Sequence, residues 1–159
     1  MKKTIIAIII FFSCVCCLYS QNRIIQGKII DPDFETIVGV FIVINDSVCV
    51  GKSKLDGSFQ VEIPSFVSKL SFCGPSYEQA YLQIDDSCNF IELIMIEDPF
   101  YHMSYRKINR YRMKKYKQLP KLHKEAYEKG IFQSPKACYI QEFHKYQLLG
   151  PVKLINVPE

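Results

Sequence analysis

Tryptophan is absent from the 159 residues, and histidine occurs only three times, at His102, His123 and His144. A core without indole must lean on other rings, and 10 Tyr and 11 Phe supply them. The histidines share no ligand spacing with one another or with Cys138, which argues against a zinc site. Asp31-Pro32-Asp33-Phe34-Glu35 alternates carboxylates as some calcium loops do. It lacks the glycine and the distal Glu of an EF-hand loop, so a solvated turn is the better reading. Phosphate-cradling glycine loops, dinucleotide fingerprints and serine elbows are missing as well. The expectation is therefore no catalytic residue, no metal ligand and no cofactor.

The one long apolar run is too short to span a bilayer. Thr4 to Phe12 falls well below the roughly 20 residues a spanning helix needs. It follows the positive stretch Met1-Lys2-Lys3 and precedes Leu18-Tyr19-Ser20-Gln21. That layout predicts a secretory signal over residues 1–20, cleaved after Ser20, and hence export to the periplasm or outer membrane. An uncleaved anchor is the alternative. Phe11-Phe12-Ser13-Cys14 also resembles a bacterial lipobox, so lipidation at Cys14 is a third option, and Cys16 and Cys17 fit it worse.

Beyond the signal four cysteines remain: Cys49, Cys73, Cys88 and Cys138. An oxidising compartment permits three pairings of four cysteines, and the sequence selects none of them. Cys49 and Cys73 fall in expected strands, where buried free thiols serve as small hydrophobes.

Charge is unevenly spread. Residues 21–97 carry 5 basic and 11 acidic side chains, and residues 98–159 carry 13 basic and 5 acidic. An acidic part is thus followed by a basic one. Either the basic part meets an anionic partner, or it docks on its acidic neighbour.

Residues 22–97 read as strands separated by turns. Ser53 to Phe59 holds an Asp-Gly pair between two alternating runs, the strongest short-range signal for a hairpin. Phe59, Val61 and Ile63 share one face, and Ser58, Gln60 and Glu62 the other. Strands are expected at 24–30, 39–44, 48–52, 59–63, 69–73, 77–84 and 90–96. Seven short strands with regular turns predict an antiparallel β-sandwich.

The same residues carry a resemblance. Gly27-Lys28-Ile29-Ile30-Asp31, Val38-Gly39-Val40-Phe41-Ile42, Asp56-Gly57-Ser58-Phe59 and Leu70-Ser71-Phe72-Cys73-Gly74 with Tyr77-Glu78 occur in order. This series resembles the carboxypeptidase regulatory-like domain family. The resemblance implies a seven-stranded, transthyretin-like (prealbumin-like) sandwich, found at the N-terminus of TonB-dependent outer-membrane receptors and in many exported Gram-negative proteins. It implies no catalytic residue; Gly27, Gly39, Asp56, Gly57 and Phe59 match structural positions only. Thr36-Ile37-Val38 replaces the family's proline before Gly39, and Gly74-Pro75-Ser76-Tyr77 lengthens its Gly-Tyr step.

After Asp98-Pro99 the period changes, and residues 98–159 read as a basic helical extension. Tyr101, Tyr105, Ile108, Arg112 and Tyr116 step at three to four residues. A second helix is expected from Pro120 to Gly130, with Leu119, Leu122, Ala126 and Tyr127 as its stripe. Ser134-Pro135 reads as the start of a third, with Tyr139, Ile140, Phe143 and Tyr146 inward. Residues 152–157 read as a last strand or a loose end.

Two functions follow as expectations. The first is an exported, non-catalytic binding or assembly module. Its basic, aromatic residues Tyr105, Arg106, Lys107, Arg110, Arg112, Lys114 and Lys115 would contact an envelope protein, an outer-membrane receptor system or an anionic membrane surface. Export argues against nucleic acid as the partner. The second is a small hydrolase or thiol enzyme using Cys138 or a histidine of the extension, with Cys138 and His144 as a conceivable nucleophile pair that no activating motif surrounds.

Overall fold

The computed structural model describes residues 22–98 and 104–146. The expected signal at 1–20 with Cys14, Tyr101 and His102 of the aromatic stripe, and the expected last strand at 152–157 lie outside the described residues.

Among the described residues there are eight strands and one helix. They are β1 (Asn22–Ile30), β2 (Phe41–Ile44), β3 (Val48–Lys52), β4 (Ser58–Pro64), β5 (Lys69–Cys73), β6 (Ala80–Ile84), β7 (Phe90–Ile94), α1 (Tyr105–Glu128) and β8 (Tyr139–Glu142). They form two sheets, one ordered β4-β1-β7 and the other β3-β2-β5-β6-β8. The fold is mainly β and sandwich-like.

Alternation places the core between the layers. Phe59, Val61 and Ile63 of β4 are buried, as their period of two requires, and meet Ile25 and Ile29 of β1 in one cluster. The far layer contributes Ile42, Ile44, Leu70, Phe72 and Leu82. Phe59 and Phe72 meet edge to face across the layers, with ring centroids 5.5 Å apart. Burying each such side chain is worth about 2 kcal/mol. At Gly27 a Cβ would collide with the Ile91 carbonyl and the Phe59 ring, so only glycine lets β1 and β7 approach.

Three expectations about the strands are corrected. The Asp56-Gly57 reversal exists, and Gly57 takes the positive φ expected of it (73°). Lys54 N–H reaches Ser58 O at 2.8 Å, and the Asp56 carboxylate accepts from both Ser58 N–H and Ser58 Oγ. It does not close a hairpin: β3 belongs to one sheet and β4 to the other, so the turn carries the chain across the sandwich. A turn signal reports the local backbone and says nothing about which layer each arm joins. Next, the arrangement is not wholly antiparallel. β1 pairs antiparallel with β4 and parallel with β7. Finally, Cys49 is exposed and Cys73 half-buried, not core thiols.

The basic extension is corrected more heavily. The two helices expected on either side of Pro120 are one helix of 24 residues, with Pro120 inside it. Proline costs that helix the bond to the Tyr116 carbonyl, and packing along the rest of its length outweighs the loss. Gly130 ends it with φ of 72°, as the sequence predicts. The expected third helix is absent among the described residues. Tyr139–Glu142 instead forms β8 and pairs antiparallel with β6, adding an edge to the larger sheet.

Candidate functional site

The helix binds the sandwich by one face and turns a basic face outward. Ile108, Arg112, His123 and Ala126 are buried on the inner side. Ala126 joins Ile30, Ile94 and Phe132 in a small cluster, with Phe34, Leu119, Leu122 and Ile131 packed around it. Ile94 is available because β7 alternates: Ile91 and Leu93 face the main core, while Glu92 and Ile94 face the helix. Lys129 Nζ lies 3.8 Å from the centre of the Phe34 ring and ties the helix end to the β1–β2 loop.

Charge is buried at two places on this inner face. Near the helix start, Arg112 is only 2% exposed and Glu78 only 6%. Arg112 donates to both carboxylate oxygens of Glu78, through Nε at 2.8 Å and through Nη2. Its Nη1 donates to Asn109 Oδ1 at 2.9 Å. The guanidinium carbon lies 3.8 Å from the Tyr146 ring centre and 4.9 Å from that of Phe143. Burial opposes the charge on Arg112, and Glu78 more than offsets it, so the pKa is raised. Tyr116 donates to Glu78 Oε1 at 3.1 Å, and burial first, then Glu78, drives its phenol pKa upward. Tyr146 donates to Asp98 at 2.8 Å and exchanges two hydrogen bonds with the Asn109 side chain.

The second place is Glu92. Its carboxylate accepts from the backbone N–H of Gln133 and of Ser134, which fixes the segment after the helix. Tyr139 Oη donates to the Glu92 carbonyl at 2.7 Å, fixing the approach to β8. His123 Nε2 lies 3.9 Å from Glu92 Oε2, too far for a hydrogen bond, and has no partner. Desolvation lowers the His123 pKa against the opposing pull of Glu92, so the ring is held neutral. The unfolded chain binds this proton near the ordinary histidine pKa, and the native fold binds it only at lower pH. Stability is therefore full above about pH 6.5 and falls as the pH drops toward the depressed native value. We expect urea midpoints measured from pH 7.5 to pH 5 to show this fall, and His123→Gln to flatten it. An unchanged slope in the variant would exclude His123 as its source.

On the outer face of α1, Arg106, Lys107, Arg110 and Lys114 are exposed and Lys115 is half-buried, while Tyr105, at the start of the stripe that holds Ile108 and Arg112, is exposed as well. Lys117 extends the row. The stretch from Arg106 to Lys117 spans about 16 Å at helical rise. Farther on, Lys121 and Lys124 pair with Glu125 and Glu128 at 3.5 Å each. Among the described residues no carboxylate makes an ion pair with Arg106, Lys107, Arg110, Lys114, Lys115 or Lys117. Arg112 is the exception among the expected contact residues. It faces inward because it lies on the same helical stripe as Ile108 and Tyr116, and it is corrected from contact residue to internal clamp. An arginine within an apolar helical stripe was the signal for a buried acid. Nothing in the local pattern of Tyr77-Glu78 or Ile91-Glu92-Leu93 identified that acid, because both are set by what packs above them.

The expected pairing of Cys138 with His144 does not form. Cys138 is bonded to Cys88 with a Cα–Cα distance of 5.4 Å, so its thiol is not available as a nucleophile. His144 stacks on Tyr81, with centroids 4.4 Å apart, and its Nε2 lies 3.0 Å from Glu142 Oε2. Among the described residues no three His, Cys, Asp or Glu side chains gather as metal ligands, and no helix is long and apolar enough to cross a membrane. No family model matches the chain, and no curated protein matches it.

Proposed function

We propose that this protein is an exported, non-catalytic binding or assembly module of the bacterial cell envelope, with α1 as its contact surface. The observation that carries the reading is the outer face of α1. Six cations from Arg106 to Lys117 stand without an acidic partner among the described residues, on a helix whose opposite face holds it to the sandwich. A helix anchored in this way offers charge but no free apolar face. It binds an anionic surface by electrostatics and does not insert. The sandwich is the rigid support, of the transthyretin-like kind that the resemblance to carboxypeptidase regulatory-like domains implies. The signal reading of residues 1–20 puts the mature chain in the periplasm or at the outer membrane, with Cys14 lipidation as the minority form. The Cys88–Cys138 bridge supports that compartment, since disulfides persist where the surroundings are oxidising.

The test is binding of the chain to phosphatidylglycerol vesicles and to envelope proteins, each at low and high salt. Replacing Arg106, Lys107, Arg110 and Lys114 together by Gln should remove about 1 kcal/mol of attraction per charge at an anionic membrane. Vesicle affinity should then fall by some hundreds-fold while the denaturation midpoint stays unchanged. If vesicles do not bind but an acidic envelope protein is retained and lost in the variant, the partner is that protein. Retention of neither, or retention indifferent to salt and to the four substitutions, would refute the reading.

A further inference from the structure

β8 ends the larger sheet, and among the described residues no strand pairs with its far side. Such an edge leaves backbone N–H and C=O groups open to another strand. Ile140 stands 70% exposed on the solvent face of β8, and Glu142 shares that face by alternation. Tyr139 and Gln141 share the opposite face, and both line an apolar cleft of about 390 Å³. Ile94 of β7, Leu119 and Pro120 of α1 and Ala137 form its other apolar walls, and His123 borders it. A strand laid along β8 would flank Ile140 with one face and turn the other toward this cleft.

The same chain supplies a segment of matching pattern. Tyr146 is fixed on Asn109 of α1: its N–H donates to Asn109 Oδ1 and its carbonyl accepts from Asn109 Nδ2, each at 2.9 Å. Phe143, three residues earlier, meets the Tyr116 ring with centroids 4.8 Å apart. After Tyr146 the sequence reads Gln147-Leu148-Leu149-Gly150-Pro151, then Val152-Lys153-Leu154-Ile155-Asn156-Val157. Gly150-Pro151 is a reversal signal. The stretch from Tyr146 to Val152 can reach about 20 Å, enough to bring Val152 back beside Phe143.

An antiparallel return satisfies both faces in one register. With Ile155 opposite Ile140, Lys153 falls opposite Glu142 and Leu154 opposite Gln141. The solvent face then carries an apolar pair and an opposite-charge pair. Glu142 is the carboxylate of β8, and Lys153 is the one cation of residues 147–159. Glu142 meets Lys69 at 3.3 Å and His144 at 3.0 Å, and each of its oxygens keeps a second lone pair for Lys153. The cleft face presents Leu154 to the apolar walls. Sliding by one residue would turn Lys153 into the cleft. Sliding by two would set Lys153 against Ile140, or Ile155 against Glu142. The geometry points to residues 152–157 of this chain as an added strand, antiparallel along the free edge of β8, with Ile155 opposite Ile140, Lys153 opposite Glu142 and Leu154 in the cleft. This contact is separate from the outer face of α1 and holds whether or not that face binds an anionic surface.

The test is cross-linking in the full chain carrying Cys49→Ala and Cys73→Ala, which leaves the Cys88–Cys138 bridge in place. Directly opposed residues of an antiparallel pair lie about 4.5–5.5 Å apart, within disulfide reach. Ile140→Cys with Ile155→Cys should therefore close an intramolecular bridge on mild oxidation, read by peptide mapping without reductant. Ile140→Cys with Leu154→Cys points the two thiols to opposite faces and should close about tenfold less. Hydrogen exchange of the unsubstituted chain gives a second readout. Amides of residues 152–157 should exchange at least about tenfold more slowly than in a free peptide of that sequence. Leu154→Asp should abolish that protection while the Ile25 and Val61 amides keep theirs. Exchange of residues 152–157 at the free-peptide rate would overturn the assignment. So would equal bridging by the two cysteine pairs, or protection that survives Leu154→Asp. A bridge that forms only between two molecules would overturn it as well, since a second copy would then be the occupant.

Discussion

Arg112→Ala is expected to cost the protein about 4 kcal/mol, because it leaves the Glu78 carboxylate buried without its counter-charge. It also removes the cation held against the Tyr146 and Phe143 rings and the donor to Asn109. Few single domains have more than about 5–15 kcal/mol to lose, so the variant should sit close to unfolding. Urea denaturation followed by circular dichroism would read the loss in helix and sheet together. The control is Arg110→Ala, two residues away on the exposed face, which should stay within about 0.5 kcal/mol of the parent. A second comparison isolates the charge. Glu78→Leu with Arg112→Met removes both partners, and it should recover most of what Arg112→Ala loses, because neither charge is then stranded. If Arg112→Ala and Arg110→Ala unfold alike, the helix is not clamped by this pair.

Loss of the Cys88–Cys138 bridge should cost nearly as much. The bonded residues are 50 apart in sequence, and closing a loop of that length restricts the unfolded chain by about 4 kcal/mol on the chain-entropy account. The bridge joins the β6–β7 connection to the segment before β8, so its loss should be felt first at the edge of the larger sheet. Dithiothreitol on the parent and the double substitution Cys88→Ala, Cys138→Ala should lower the urea midpoint by the same amount. Cys49→Ala should not move it, since that thiol is exposed and unbonded. A reduced protein as stable as the oxidised one would show that the bridge only records proximity.

The strands were legible because each obeys a rule local to itself. Phe59-Gln60-Val61-Glu62-Ile63 alternates against a core on one side only, and such a pattern reads directly as a half-buried strand. Lys69–Cys73 and Val48–Lys52 were bounded by the turn residues around them in the same way. Assignment of strands to layers was not legible. β3 and β4 flank a turn that suits a hairpin, and only the pairing of each arm in a different sheet separates them. β8 was misread for a related reason. Tyr139, Ile140 and Phe143 fit a helical stripe as well as a strand, and its strand state is imposed by the open edge of β6 together with the bond at Cys138. Arg106, Lys107, Arg110 and Lys114 face outward, because charge on a helix face goes to water. Lys115 is partly covered, and Arg112 went inward because a distant acid draws it there. His123 was weighed only as a metal ligand and as one of the extension's histidines in the enzyme alternative. A solitary histidine carries no spacing, so nothing along the chain connected it to the cleft it lines.

Parallel pairing of β1 with β7 has a consequence for how the molecule is made. Gln26 meets Phe90 and Ile30 meets Ile94, so the smaller layer stays unfinished until more than sixty further residues have been delivered. β6 waits nearly as long, with one side bare until Tyr139–Glu142 arrives. A chain emerging N-terminus first would thus carry two incomplete β layers through most of its passage. Contacts so remote along the polymer make for slow folding and a long window for sticking to neighbours, and a shielding helper during that window would be worth more to this protein than to one built from adjacent pairs.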